Sequence, residues 1–193
     1  MPPVWQWNLQ QFMSIKDDKK LVELTAKDPE KGFRYLMAKY KEAVYWHIRR
    51  LIVAHEDAQD ATQETFVRVF RSLSDFKGEC TFRSWIYRIA TNEALRLLDR
   101  YKKEERVSLD YSSGELSKLM ADEYVDYSDL EAVKLQKAIL SLPTKQQLAF
   151  NLRYYNELGY DEIAGIIGST VDGAKSNYHI AKDKIVKYMN ANN

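Results

Sequence analysis

The stretch YDEIAGIIGSTVDGAKSNYH, Tyr160 to His179, decides the fold. Its first half places Ile163 and Ile167 one helical turn apart, facing a shared core, with the small Ala164 beside them where a second helix can cross closely. Gly168 then permits the left-handed turn that ends such a helix. In the second half Ala174, Tyr178, Ala181 and Ile185 form one inward stripe, while Asp172, Lys175, Ser176, Asn177, His179 and Lys182 occupy the opposite and flanking faces. This is the form of a helix-turn-helix, whose second helix offers its N-terminal residues to base edges in the major groove. Asn pairs bidentately with adenine, and Lys175 and Lys182 reach guanine or phosphate. An ordinary helical hairpin packed in a core has the same pattern, so this segment alone leaves both readings open. Asp172 and Asp183 leave the helix poor in positive charge, which implies modest intrinsic DNA affinity.

Upstream, Asp28-Pro29-Glu30 joins an N-capping acid, a proline at the first helical position and an acid near the positive end of the dipole. Phe33, Leu36, Met37, Tyr40, Val44, Ile48 and Leu51 then recur at helical spacing. A second helix is expected over residues 57–73, with Ala58, Ala61, Thr65 and Val69 on one face. Asp75-Phe76-Lys77-Gly78 breaks the pattern, and a third helix keeps Phe82, Trp85, Ile86, Ile89, Ala90, Ala94, Leu97, Leu98 and Tyr101 in phase. Ser128–Glu131 and Thr144–Gln147 both have the form of capping boxes, with Pro143 separating the helices they open. Two last helices are expected over about 161–167 and 171–189. No strand-like alternation stands out. The expected fold is all-α: two small helical domains joined by an acidic linker, the C-terminal one containing the helix-turn-helix. The boundaries read as an N-terminal extension over 1–19, a first domain over 20–106, the linker over 107–127 and a second domain over 128–193.

Charge supports that division. The 193 residues carry a net charge of only +1, but residues 31–106 hold 16 Lys/Arg against 11 Asp/Glu, and residues 107–129 hold six acids against Lys118 alone. With seven Gly and four Pro, the composition favours helices over many-turned sheets. No apolar run approaches the ~20 residues of a spanning helix, so no membrane insertion is expected. The start, MPPVWQWNLQQF, lacks the basic and apolar regions of a signal peptide. A lone cysteine, Cys80, forms no intramolecular disulfide and fits a reducing cytoplasmic setting.

Two further clusters carry chemistry. Asp57, Asp60 and Glu64, with Gln63, lie along one side of the second helix: metal ligands, an acidic docking face or a solvated surface. No histidine stands at ligand spacing beside them, so neither a metal site nor a cofactor is expected. The segment from Phe76 to Arg88 interleaves aromatic rings with Lys77, Arg83 and Arg88 beside a glycine turn, the combination that captures a single strand by stacking and by holding its backbone. Phe82 and Trp85 keep helical phase and read as core, which leaves the polar residues between Gly78 and Thr81 as base contacts. Arg96, Arg100, Lys102 and Lys103 form a phosphate-facing set further along that helix. His47, His55 and His179 are scattered, and no nucleophile–base pair or phosphate-binding glycine loop is evident, so no enzyme is expected.

Residues 57–70 (DAQDATQETFVRVF) and 76–92 (FKGECTFRSWIYRIATN) closely resemble the second conserved region of extracytoplasmic-function sigma factors, and Leu142-Pro143 through Ile185 resembles their fourth. Together these cover roughly residues 20–190, in order and with a linker between. The resemblance implies a subunit that brings core RNA polymerase to promoters and opens the DNA. Asp57, Asp60, Gln63, Glu64 and Arg68 match the helix that docks on the β′ clamp helices. Lys77, Gly78, Glu79, Cys80 and Thr81 match the loop that captures an unstacked base of the −10 element. Arg83, Trp85, Arg88, Asn92 and Arg96 fall in the adjoining helix that holds the DNA. Asp172, Lys175, Ser176, Asn177, His179 and Lys182 fall in the helix that reads the −35 element, in a domain that also sits on the β flap. The acidic linker matches a segment that threads toward the polymerase active centre. Members of the family are commonly held inactive by an anti-sigma factor, so such a partner is expected by analogy. Cys80 stands where the family usually has Ser, and Asn177 and Ile180 stand at positions that are commonly basic. A helix-turn-helix regulator acting without polymerase would not need the segment from Asp57 to Phe70.

Overall fold

Asp28 caps a helix as its sequence requires: its Oδ1 accepts from the Lys31 backbone N–H at 3.0 Å, and Pro29 opens the first turn. In the computed structural model, which describes residues 18–107 and 130–191, this helix is the second of eight α-helices among the described residues. They are α1 (Asp18–Lys27), α2 (Pro29–Arg49), α3 (His55–Ser72), α4 (Phe82–Val107), α5 (Leu130–Leu140), α6 (Thr144–Tyr154), α7 (Tyr160–Ile167) and α8 (Val171–Ala191). One 3-10 turn, Leu73–Asp75, follows α3, and there is no strand among the described residues. The acidic linker and the Ser128 capping position lie outside the described residues.

Helices α1–α4 form the N-terminal bundle. The sequence did not announce α1, which begins inside the expected N-terminal extension. Asp18 ties it to α2 by accepting from Tyr40 Oη and from Lys39 Nζ, both at 2.7 Å. Gly32 lets the two helices meet, since a Cβ there would lie 2.4 Å from the Thr25 Cα. Leu36, Val44 and Ile48 of α2, Ala58 and Val69 of α3, and Ile86, Ala90 and Ala94 of α4 are fully buried together. Each large aliphatic side chain among them contributes about 1.5–3 kcal/mol relative to exposure.

Helices α5–α8 form the C-terminal bundle. Gly168, at φ 60° and ψ 59°, makes the left-handed stop between α7 and α8. One expectation fails here. The N-cap of α6 is Pro143, which has no side chain to accept, so Thr144 is the first helical residue and no capping box forms with Gln147. Gln147 is buried instead, and its Nε2 reaches the Arg50 carbonyl of the other bundle at 3.4 Å.

The bundles also share a core. Leu148, Leu152, Leu158 and Ile163 belong to the same buried cluster as Ile48, Ile86 and Ala90, while Ile139, Leu142, Phe150, Ala181 and Ile185 belong to a smaller one within the C-terminal bundle. The two-domain expectation is therefore sharpened: α6 and α7 pack their apolar side against α2 and α4.

Candidate functional site

Helices α3 and α4 lie side by side and open a cleft lined by Asp57, Asp60, Gln63, Glu64 and Val67 from one and Glu93, Arg96 and Arg100 from the other. Asp60 and Gln63 are exposed, and Asp57 accepts from Tyr101 Oη. The residue that organises this cleft is Glu93, which the sequence reading did not single out. It is 4% exposed and meets Arg68 Nε at 2.5 Å and Arg96 Nη2 at 2.6 Å, while Arg68 also lies 3.3 Å from Glu64. A buried carboxylate survives desolvation only with such partners. Arg96, expected in the phosphate-facing set further along α4, lines this cleft and pairs with Glu93 at a spacing of i+3.

The loop between α3 and α4 carries Lys77, Gly78 and Glu79 fully outward, with Cys80 half-buried. Gly78 turns it at φ 74°, in the left-handed region. Behind the loop, Phe76, Phe82 and Trp85 form a ring cluster with centroids 5.2–5.5 Å apart. Phe82 is core, Trp85 is half-buried and Asn92 is exposed.

Other residues expected near this loop meet the C-terminal bundle. Thr81 Oγ1 donates to Glu162 Oε1 at 2.7 Å, and Ser84 Oγ donates to the same oxygen. Arg83 donates to the Asn156 carbonyl. Arg88 approaches Gly165 so closely that a Cβ there would lie 3.0 Å from its Nη2. Beneath them, Asn156 Nδ2 donates to Tyr87 Oη at 2.9 Å, and its Oδ1 lies 3.3 Å from His47 Nδ1. His47 Nε2 in turn lies 2.9 Å from Thr91 Oγ1. Burial holds the His47 pKa down at about 4. For Glu162, burial pushes the carboxyl upward, but hydrogen bonds from Ser84, the Gly159 backbone N–H and Thr81 outweigh it and leave the group below its usual range. Asn156 and Glu162 carry no local sequence signature for this role, because their partners lie in another bundle.

On α8, Asp172, Lys175, Ser176, His179 and Lys182 are exposed as expected. Asn177 is half-buried, and its Nδ2 donates to the Gly173 carbonyl at 2.8 Å. One arm of the bidentate pairing expected of it is thus committed to its own helix. Ala174, Ala181 and Ile185 pack inward, and Tyr178 stacks on Phe150 at 6.0 Å.

A helical cleft, an exposed loop and a helix-turn-helix define the class, a two-part helical protein of the nucleic-acid-associated kind. Residues 36–104 match the family described as Sigma-70 region 2, and residues 132–185 match Sigma-70 region 4. The ECF RNA polymerase sigma-E factor of Salmonella typhimurium is 30% identical over 176 residues, covering 87% of this chain and 92% of its own length. The RNA polymerase sigma-H factor of Pseudomonas aeruginosa is 27% identical over 186 residues, covering 92% and 96%. The solved sigma factor RpoE of Bartonella quintana, in co-crystal with the anti-sigma factor NepR, has a TM-score of 0.70 at 20% identity and covers 84% of this chain and 99% of its own, a likeness of fold. The chain belongs to the extracytoplasmic-function sigma factors of the sigma-70 family.

Proposed function

We propose that this sigma factor docks on the β′ clamp helices of core RNA polymerase through the α3–α4 cleft and uses the adjoining loop to open the −10 element. The observation that carries the reading is the sharing of one rigid helix pair. Asp60, Gln63 and Glu64 line the cleft, and the exposed loop at Lys77–Glu79 connects the same two helices. Docking therefore fixes where the loop meets DNA. Asp57 and Arg68 shape the cleft wall. Lys77, Gly78, Glu79, Cys80 and Thr81 receive an unstacked base, and Arg83, Arg88 and Asn92 hold the strand beyond it, with Trp85 supporting the loop from behind. Lys175, Ser176, His179 and Lys182, with Asp172 and Asn177, read the −35 element, and the C-terminal bundle sits on the β flap.

Opening proceeds by binding alone: the protein stabilises the separated strand and makes no covalent bond. The work is cytoplasmic, where polymerase resides, and an anti-sigma factor of the kind paired with solved relatives regulates it. The domain roles follow residues 20–106 for docking and −10 opening, 107–127 for the linker and 128–193 for −35 reading.

The test is co-purification with core polymerase followed by run-off transcription on genomic fragments. A stoichiometric complex lost in the double variant Asp60→Ala, Glu64→Ala is expected. A chain that binds DNA but no polymerase, or a complex unchanged by both substitutions, refutes clamp docking through this cleft.

A further inference from the structure

The burial pattern of α8 fixes which way its side chains face. Ala174, Ala181 and Ile185 are buried, so the opposite side of the helix is the outward one. Two exposed stripes run along that side. Lys175, His179 and Lys182, at i, i+4 and i+7, form one flank and hold its two lysines. Beside it Asp172, Ser176, Ile180 and Asp183, at i, i+4, i+8 and i+11, form a stripe with two carboxylates and no cation. The next cation on that stripe, Lys187, lies about 10 Å beyond Ile180 along the axis. Lys184, one turn past Ile180, donates to Gln146 Oε1 at 3.0 Å and is drawn toward α6. Ile180 itself is 45% exposed. A lone exposed isoleucine is ordinary on a protein surface; the charges around this one make it informative.

We propose that Ile180 is a specificity-determining residue for the −35 element and takes the 5-methyl group of a thymine in the major groove. The proposal rests on the sigma-factor reading above and adds a residue which that reading leaves out. Asp172 and Asp183 repel phosphate, so the DNA backbone belongs to the Lys175–Lys182 flank and the base edges to the stripe of Ser176 and Ile180. Ile180 follows Ser176 by one turn, about 6 Å along the axis, close to two base-pair rises of about 3.4 Å. The two side chains therefore meet bases about two steps apart. An isoleucine makes no hydrogen bond. Set against a ring nitrogen, a carbonyl or an exocyclic amine, it strips water from a polar group and returns nothing. The thymine methyl is the apolar group that the major groove presents. Burying that one methyl against Ile180 favours thymine by about 3-fold.

The test uses the full chain in complex with core polymerase. Promoters are first selected by the wild-type holoenzyme from a library randomised over the −35 element. In the selected duplex each −35 thymine is then replaced by 2′-deoxyuridine, which removes the methyl and keeps every hydrogen-bonding group. Competition binding compares the two duplexes. One thymine is expected whose replacement weakens wild-type binding about 2- to 4-fold. With Ile180→Ala the two duplexes should bind equally, and alanine keeps the helix. Val186→Ala is the control: Val186 is 48% exposed but lies six residues further on, and its loss should leave the wild-type ratio in place. The proposal is overturned if no thymine responds to loss of its methyl, if the response persists in Ile180→Ala, or if Val186→Ala abolishes it equally. Enrichment of a −35 sequence without methyl dependence fells this proposal alone. If no holoenzyme forms, or no −35 sequence is enriched, the sigma-factor reading falls with it.

Discussion

His47 of α2 and Asn156 of the α6–α7 connection, 109 positions apart, meet across the seam with Nδ1 and Oδ1 3.3 Å from each other. The ring is fully buried, with Thr91 at its other nitrogen and Tyr87 against its edge. Desolvation lowers its pKa from 6.5 to about 4; the Asn156 bond opposes this and Arg50 adds to it. The native state therefore binds fewer protons than the unfolded chain between those values. Stability is full above pH 6.5 and declines as pH falls toward 4, by about 2 kcal/mol at pH 5. Urea midpoints at pH 7.5 and pH 5 should differ for the wild type and converge for His47→Gln. Glu162, held below its ordinary value of 4.5, adds a loss only at still lower pH, so the two groups separate along the titration. Equal pH slopes in both proteins would contradict a neutral buried His47.

Glu93 makes a second prediction. Its carboxylate is buried while Arg68 and Arg96 stay 44% and 64% exposed, so solvent screens part of each pair. Glu93→Ala leaves the arginines free to swing into water and should cost about 1–3 kcal/mol. Glu93→Gln keeps the volume and costs less, yet it releases both cations into an acidic cleft. Its affinity for core polymerase should fall several-fold while helical circular dichroism is unchanged. A variant that docks normally would show that Glu93 serves stability alone.

The helices were legible because their causes are local. Asp28, Pro29 and Gly168 punctuate the chain through their own backbone chemistry, and the apolar stripes of α2, α4 and α8 repeat at 3.6 residues. Helix α1 was not legible: its anchor is a carboxylate waiting for Lys39 and Tyr40 on the next helix. The failed cap at Thr144 has the same origin, since Gln147 finds its partner in the Arg50 carbonyl rather than at its own helix end. At the site, exposed residues such as Asp60, Lys77 and Lys175 could be picked by type and spacing. Glu93, Asn156 and Glu162 could not, because their roles exist only once two helices or two bundles meet.

Two glycines should respond differently to the same change. Gly168 needs a positive φ, and a Cβ there meets nothing within 4 Å. Gly168→Ala should therefore cost about 1–2 kcal/mol of backbone strain, and Gly168→Asn less. Gly32 has ordinary helical dihedrals but faces Thr25, whose backbone cannot yield as a side-chain end can. Gly32→Ala should separate α1 from α2 at a cost of about 1–3 kcal/mol, and Gly32→Asn should be worse. Thermal melts of the four variants give the order. A tolerated Gly32→Asn with an intolerant Gly168→Asn would reverse the assignment.

On α8 the expected reading of bases shifts away from Asn177. Its amide nitrogen is committed to the Gly173 carbonyl at 2.8 Å, and the residue is half-buried beside exposed Lys175, Ser176 and His179. Turning it toward adenine costs the helix that bond, so Asn177→Ala should change promoter choice less than Lys175→Ala. A lysine on a guanine edge discriminates by about 1–3 kcal/mol against the wrong base, while one on phosphate weakens all sequences alike. Lys182 lies two turns further along the helix, and its loss should lower the salt slope of holoenzyme binding by about 0.9 without altering preference. Selection of promoters from a randomised −35 library by each holoenzyme measures both effects. If Asn177→Ala relaxes one position of the selected sequence more than Lys175→Ala does, the Gly173 bond breaks on DNA and Asn177 reads a base after all.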